Sequence, residues 1–168
     1  MTGQMAYGWK PGPPIDIPAA VAAAEIERIR QKYGGYFTIR DGVEESKDED
    51  AVFHHKLEWD DVIGGASNRE NQLRHIVGRV VVFNTGPEVP NEPVRAYVSV
   101  KTPGEGPRFT TFAYAMSVPN LRQQVLANAL QDMRAFMQKY ANYAELAGVV
   151  SAMEAARETV EKTIKPAE

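Results

Sequence analysis

The residues best suited to chemistry lie in one short segment of the chain. Imidazole, carboxylate and indole groups follow one another there: His54, His55, Glu58, Trp59, Asp60 and Asp61. Imidazole and carboxylate groups are good ligands for zinc, manganese or iron. Adjacent histidines on a strand point to opposite faces, however, and the HExxH spacing of a zinc-binding helix is absent. We therefore favour a structural turn, with Trp59 buried and Asp60 or Asp61 capping a helix, over a metal site.

The sequence contains none of the common catalytic motifs. It has no GxSxG, no GxGxxG after a strand and no GxxxxGK[ST] phosphate loop. Nothing supplies a nucleophile to match the carboxylates of the segment, and many acidic pairs only cap helices. Because the chain has no cysteine, it has no disulfide, thiolate zinc site or cysteine nucleophile. We expect a non-enzymatic protein without a cofactor.

Length and composition are those of an ordinary globular protein. The chain has 168 residues, 43% hydrophobic and 24% charged, which suits one domain with or without an appendage. Its net charge of −3 argues against a polybasic nucleic-acid binder, although a local basic face remains compatible with it. No signal peptide and no membrane span are visible in the sequence, so we expect a cytoplasmic protein without a membrane partner.

The N-terminal part is predicted to be an extended arm followed by helices. Prolines and glycines over residues 1–16 exclude a helix and favour an extended arm. Apolar residues at helical spacing predict a helix over 17–33, with Asp16 as its N-cap. Thr38 is placed to cap a second, short helix over 39–47.

A third helix is predicted over 61–79, starting where the His54–Asp61 segment ends. The acidic run 44–50 precedes that segment and is interpreted as a solvated loop. Asp60 or Asp61 can serve as the N-cap of the helix. Gly64 and Gly65 weaken its first turns by roughly 1 kcal/mol each relative to alanine, so an irregular start is expected.

The second half of the chain changes from strands to helices. Apolar and alternating patterns predict strands at 80–83, 95–101 and 109–116, which we expect to form one three-stranded antiparallel sheet. Residues 117–164 carry two apolar stripes at helical spacing and predict a helical hairpin. The fold class is therefore α+β: an arm at 1–16, a domain over 17–116 and a C-terminal αα-hairpin.

The order of helices and strands suggests a winged helix-turn-helix. The three N-terminal helices would form the helical core, and strands 80–84 and 95–101 would form the wing. Arginine reads guanine and asparagine or glutamine reads adenine, and cations beside a wing can meet phosphates. The candidate nucleic-acid-binding residues are Arg69, Asn71, Gln72, Arg74, Lys101 and Arg108. The alternative is that these residues only cover the wet face of a helix and the edge of a sheet.

Three segments of the chain resemble a known group of proteins. They are Tyr7–Gly12, Ala24–Arg30 and, most specifically, the Glu-Trp-Asp-Asp run that ends at Asp61. Together they resemble an uncharacterised family encoded by bacteriophages and prophages, in which a His-x-x-Phe-Glu-Trp-Asp-Asp-like motif precedes a helix. The chain departs from that pattern with Leu57 in place of an aromatic residue and a Gly-Gly pair in place of alanines. The resemblance implies a phage setting in the host cytoplasm and no mechanism.

Two functions follow as hypotheses. The first is a phage-encoded protein that binds DNA through the winged-helix-like region and self-associates through its C-terminal helices. The second is a virion, assembly or host-interaction component that acts through protein–protein contacts, with another phage or host protein as partner. The acidic net charge, the Pro-rich arm and a methionine-bearing apolar stripe favour the second.

Overall fold

The computed structural model describes residues 6–83 and 92–164, and these residues form a mixed α and β structure. The predicted α+β class is confirmed. The chain divides into two compact units, Met1–Tyr114 and Ala115–Glu168. The elements, in chain order, are β1 (Ala6–Trp9), α1 (Ala19–Lys32), α2 (Ile39–Glu45), a 3₁₀ turn (His54–Lys56), α3 (Ala66–Arg79), β2 (Val80–Phe83), β3 (Val94–Arg95), β4 (Tyr97–Lys101), β5 (Pro107–Thr111), α4 (Phe112–Ser117), α5 (Pro119–Tyr140), a second 3₁₀ turn (Ala144–Leu146) and α6 (Ala147–Ile164).

Helix α1 forms where the apolar stripe predicts it. Ala22, Ile26 and Ile29 lie on the stripe and are almost completely buried. Asp16 is not its N-cap, because Pro18 occupies that position and no side chain bonds to the first turn. The carboxylate of Asp16 instead accepts a hydrogen bond from the Lys56 ammonium group, 40 residues further along the chain.

Helix α2 is short but well capped, as the sequence predicts. The backbone amide of Asp41 donates to Thr38 Oγ1 over 3.1 Å, and the Thr38 amide donates to Asp41 Oδ2 over 2.7 Å. This reciprocal capping box satisfies two amides that the first turn would leave without partners. Gly42 is buried on the side of α2 that faces α3, where a Cβ would lie 2.5 Å from a methyl group of Leu73. A residue without a side chain therefore allows the two helices to approach each other closely.

Helix α3 begins at Ala66 rather than at residue 61, and the predicted cap by Asp60 or Asp61 is wrong. Gly65 is the N-cap, without a side-chain hydrogen bond. The Asp60 carbonyl accepts the amides of Ile63 and Gly64 in a separate turn. The low helix propensity of the Gly-Gly pair allows this turn to end before the helix starts.

The structure contains two antiparallel sheets, so the expected single three-stranded sheet is wrong. One sheet has the order β1-β2-β3, with Trp9 opposite Val80, and the other pairs β4 with β5. Of the predicted second strand 95–101, only Arg95 pairs with β2, together with Val94 before it. Beyond Ala96 the chain enters the second sheet, where the buried Tyr97 donates its hydroxyl proton to the Ala23 carbonyl over 3.0 Å.

The pair of strands expected to form a wing is thus divided between the sheets, and the winged-helix arrangement is not confirmed. Most of the residues between these two predicted strands, and residue 84 of the predicted wing, lie outside the described residues. So do residues 1–5 of the predicted arm. Residues Ala6–Trp9 of the arm form β1, which pairs with β2.

The predicted strand 109–116 is only half a strand. Strand β5 ends at Thr111, and the next six residues form the helix α4. The hydroxyl of Thr111 accepts the amide of Tyr114 over 3.2 Å, which is the hydrogen bond of a helix N-cap. Alternation of large and small side chains fits a strand as well as a helix, and the local cap decides between them here.

The core of the first unit lies between its helices and the two sheets. Its largest fully buried side chains are Phe37, Phe53, Ile26, Ile29 and Leu73. Trp59 was predicted to be buried, and it is partly buried: its ring packs against this core.

The second unit consists mainly of α5 and α6, which contact each other. Arg134 of α5 forms an ion pair with Glu161 of α6 at 2.6 Å. Gln123 donates to the Ile164 carbonyl over 3.4 Å. Among the residues that the structure describes, no helix has both the length and the apolarity that a bilayer span requires.

Candidate functional site

The segment His54–Asp61 folds into a turn that is held together by its own aromatic residues. The Trp59 indole donates to the His54 carbonyl over 2.8 Å, and its ring stacks on the His54 imidazole with 5.0 Å between the centroids. His54 Nδ1 lies 3.0 Å from the Ser46 carbonyl oxygen, which can only accept, so Nδ1 carries the proton of this hydrogen bond. These contacts make the segment a structural turn.

The carboxylates of the segment are engaged with neighbouring groups. Glu58 accepts the Asp60 amide over 3.0 Å, and Asp60 accepts the Val62 amide over 2.9 Å. Asp61 forms an ion pair with Arg69 at 2.7 Å. Within residues 6–83 and 92–164, no group of three or more histidine and acidic residues is arranged to hold a metal ion.

Arg69 is the residue that holds this turn against α3. Its side chain is only 14% exposed, and Nη1 donates to Asp61, to the Glu58 carbonyl at 3.2 Å and to the Gly64 carbonyl at 3.5 Å. The guanidinium carbon also lies 5.3 Å from the centroid of the Trp59 ring, within the range of a cation–π interaction. The guanidinium group of Arg69 therefore serves the fold of its own chain.

The other candidate DNA-binding residues of α3 also have partners within the chain. Gln72 accepts the Glu58 amide over 2.9 Å, which ties α3 to the aromatic turn. Arg74 donates to Asn71 over 2.6 Å, and both side chains are exposed. Of the four residues predicted to form a reading face on α3, two therefore brace a turn and two bind each other.

The remaining two candidates lie on the second sheet, next to each other in its register. Val100 of β4 pairs with Arg108 of β5, and the exposed Lys101 pairs with Pro107. Arg108 forms an ion pair with Glu105 at 2.6 Å, and its guanidinium carbon lies 5.3 Å from the Tyr36 ring centroid. Arg108 is thus also engaged within the chain.

A surface cavity of about 500 Å³ lies beside the predicted acidic loop. The described residues that line it include one cation, Arg28, and the acidic residues Glu25, Glu44, Glu45, Asp48 and Asp50. Glu45 accepts hydrogen bonds from Lys32 over 2.6 Å and from Arg28 over 3.1 Å. These bonds, that from Lys32 first, hold the pKa of Glu45 below its usual range. The acidic residues repel phosphate, as the sequence suggests.

Two aliphatic residues stand out at the tip of the turn before α3, and sequence reasoning missed them. The exposed fractions are 95% for Val62 and 72% for Ile63. The sequence signal was present, because two aliphatic residues between an Asp-Asp and a Gly-Gly pair cannot both be drawn into a core by so short a turn.

The second unit has incompletely covered apolar surface and a small pocket. In α6 none of the residues whose side chains are described is buried, and in α5 only Leu121, Leu130 and Met137 are. The pocket has a volume of about 220 Å³. It is lined by Met116, Ser117, Pro119, Arg122, Gln123, Leu126 and Ile164.

Comparison with known proteins adds no assignment to this geometry. No protein-family model, no curated protein and no solved structure matches the chain.

The engagement of Arg69 leads to a testable expectation for stability. Replacing Arg69 with alanine removes hydrogen bonds from a charged donor to two carbonyl groups and a carboxylate, and we expect the free energy of unfolding to fall by about 2 kcal/mol. Urea denaturation followed by tryptophan fluorescence measures this loss. The matched control is Arg40→Ala, because the Arg40 side chain is 86% exposed and forms one ion pair at 3.5 Å. Equal losses in the two variants would contradict a bracing role.

Proposed function

We propose that this chain is a non-enzymatic, protein-binding component of phage assembly or of phage–host interaction, and that its C-terminal helices form a helical hairpin that self-associates. The observation that carries the proposal is the incomplete burial of α6. Its 18 residues include alanine, valine, methionine and isoleucine, yet none of those with described side chains is buried. The resemblance to phage-encoded proteins is consistent with this setting.

The apolar seam between α5 and α6 offers a surface that a second copy can close. Met133 of α5 and Val150, Met153 and Val160 of α6 are all half-buried. Two helices can cover only one side of each other's apolar stripe, whereas four helices enclose a core between them. A dimer with the two hairpins packed together as a four-helix bundle would remove this seam from water. Because both copies contribute the same surface, such an interface is symmetric.

DNA binding has less support from the geometry. A phosphate contact needs a cation that is free to reach outward, and Arg69 and Arg108 each bind a carboxylate of the same chain. The prediction is tested by a fluorescence anisotropy titration of duplex DNA at low salt. Tight binding that is lost in Arg69→Ala and Arg74→Ala would favour DNA as the partner over protein.

Self-association is tested by the molar mass of the protein in solution. At low protein concentration we expect light scattering to give the mass of a dimer for the wild type. Met153→Glu, which places a carboxylate in the seam, should raise the dissociation constant of the dimer at least tenfold, which is 1.4 kcal/mol. Ser151→Glu is the matched control, because Ser151 is an exposed residue of the same helix. It should leave the dimer intact.

Two outcomes would count against this proposal. A wild type that stays monomeric at every concentration removes its main support. A Met153→Glu variant that dimerises as well as the wild type would show that the seam is not the interface. Circular dichroism shows whether the variant keeps its helices, and Met133→Glu gives a second reading from α5 if it does not.

A further inference from the structure

The loop between Trp59 and α3 presents two aliphatic side chains on a rigid support. We call the tip of this loop, Val62 and Ile63, the aliphatic tip. The Asp60 carbonyl accepts the Ile63 amide over 3.1 Å and the Gly64 amide over 2.9 Å. Together with the contacts of Arg69 to Asp61 and Gly64, these bonds fix the loop before any partner arrives. A preformed loop loses little conformational entropy when it binds.

The exposure of the aliphatic tip has no explanation within the fold of the described residues. Val62 is 95% exposed and so contributes almost nothing to the core. Single exposed apolar residues are common on proteins, but two adjacent ones held outward by a braced loop form a projecting apolar surface. Such a projection fits a concave apolar surface on a partner.

The pocket of the second unit has the matching shape and chemistry. It is concave, with a volume of about 220 Å³, and Met116, Leu126 and Ile164 contribute apolar walls. Among the described residues that line it, Arg122 is the only charged one. The Arg122 side chain is exposed and, within residues 6–83 and 92–164, forms no ion pair. The pocket therefore combines apolar side chains with polar ones and with a cation that forms no ion pair to the described residues.

The charges beside the aliphatic tip complement that cation. Glu58, Asp60 and Asp61 carry three carboxylates around the loop, and Arg69 compensates only one of them. Asp60 is exposed next to the tip. Docking of the tip into the pocket would thus place the acidic loop next to the Arg122 cation. The attraction between these opposite charges favours association.

We propose that the aliphatic tip of one copy docks into the pocket on the second unit of another copy. This inference rests on the proposed function, because it names the second contact by which self-association proceeds. The contact joins two different surfaces, so it is heterologous: each copy that donates a tip still offers an empty pocket. Combined with the symmetric contact of the helical hairpins, it extends dimers into larger rings or fibres.

The test uses two full-length variants that each lack one side of the contact. Val62→Ser/Ile63→Ser removes the apolar tip and keeps the backbone bonds of the loop. Arg122→Glu replaces the cation of the pocket with a carboxylate through one exposed residue and leaves the seam residues unchanged. We expect the wild type to grow beyond the dimer with concentration, and each variant alone to stop at the dimer. The apparent dissociation constant of the second contact should rise at least tenfold in each.

Mixing the two variants gives the deciding result. The first variant retains an intact pocket and the second retains an intact tip, so an equimolar mixture should again grow beyond the dimer. The control Val21→Ser replaces a valine that is 44% exposed on α1, and it should behave as the wild type. Light scattering of each sample and of the mixture measures the result.

The outcomes separate the inference from the function on which it rests. A wild type that dimerises but never grows, or growth that survives Val62→Ser/Ile63→Ser, overturns the tip-to-pocket contact and leaves the helical dimer standing. A mixture that stays dimeric also overturns it. A monomeric wild type instead removes the proposed function. Co-sedimentation of the wild type, but not of Val62→Ser/Ile63→Ser, with phosphatidylcholine vesicles would assign the tip to lipid and overturn the proposal.

Discussion

Replacing Arg79 with alanine is expected to lower the free energy of unfolding by about 3 kcal/mol and to release the N-terminal arm, because two charge-assisted hydrogen bonds are lost. Arg79 is buried at the end of α3. Its Nη1 donates to the Pro13 carbonyl over 2.6 Å and its Nη2 to the Lys10 carbonyl over 2.8 Å. Gly12 lies against the same guanidinium group, where a Cβ would be 3.1 Å from Nη2. The guanidinium group of Arg79 thus holds the arm through two of its backbone carbonyl groups.

Two measurements check this expectation. Urea denaturation gives the loss in stability, and limited chymotrypsin digestion reports release of the arm through cleavage after Trp9, which Lys10 follows. The matched control is Arg74→Ala, since Arg74 lies on the same helix, is exposed and bonds only to Asn71 among the described side chains. It should change stability by no more than about 0.5 kcal/mol. Cleavage after Trp9 at the wild-type rate in Arg79→Ala would show that β1 holds the arm without these hydrogen bonds.

Replacing Arg79 with lysine separates charge from geometry. A lysine keeps the positive charge but has one small ammonium group in place of a planar fork. The two carbonyl groups that Arg79 reaches belong to Lys10 and Pro13, three residues apart along the arm. One ammonium group on a shorter side chain does not reproduce the fixed spacing of the two guanidinium nitrogens, so lysine should recover less than half of the stability lost in Arg79→Ala.

The arginines of α3 illustrate what spacing can and cannot predict. Helical periodicity correctly placed a helix over most of its length and an apolar face on Leu73, Ile76 and Val77. The partners of Arg79 lie 66 and 69 residues away in the sequence, and those of Arg69 lie in a turn of irregular shape. No local pattern encodes such long-range pairing. The sequence therefore predicted where the cations lie but not that the fold uses them.

The errors in the strands have the same origin. The pattern from residue 109 onwards alternates as a strand should, but one hydroxyl, that of Thr111, caps a helix instead. The four residues of β1 include a glycine and are too few to predict a strand, and the place of β1 is set by pairing with β2 more than 70 residues later. By contrast, the cap of α2 by Thr38 was predicted, because all its atoms lie within four consecutive residues. Capping motifs within a few residues can be predicted from sequence, whereas the partner of a strand far along the chain cannot.

The candidate interaction surfaces were also only partly predicted from the sequence. The apolar stripes of α5 and α6 were visible in the sequence from their periodicity, whereas their incomplete burial was not. Val62 and Ile63 were overlooked because aliphatic residues are assigned to a core by default. Only the three-dimensional structure shows that the fold turns them outward.

Replacing Leu73 with alanine is expected to lower the free energy of unfolding by about 3 kcal/mol. It should also reverse the sign of the stability change caused by a second substitution, Gly42→Ala. Leu73 is 1% exposed, and a Cβ on Gly42 would lie 2.5 Å from its Cδ2 atom. In the wild type, Gly42→Ala therefore overpacks the contact between α2 and α3, at a cost of roughly 2 kcal/mol that exceeds the gain of about 1 kcal/mol in helix propensity. The net effect there is destabilising.

In the Leu73→Ala background the same methyl group enters the space that the leucine has left. The gain in helix propensity and the filling of this space are then both favourable, so Gly42→Ala should raise the free energy of unfolding by about 1 kcal/mol. A double-mutant cycle measured by urea denaturation should give a coupling energy of about 2 kcal/mol between the two positions. The control pair is Gly78→Ala with Leu73→Ala, because a Cβ on Gly78 meets no atom within 4 Å and should add independently. If Gly42→Ala were stabilising in both backgrounds, the close approach of α2 and α3 would not depend on the absence of a side chain at residue 42, and helix propensity alone would account for its effect.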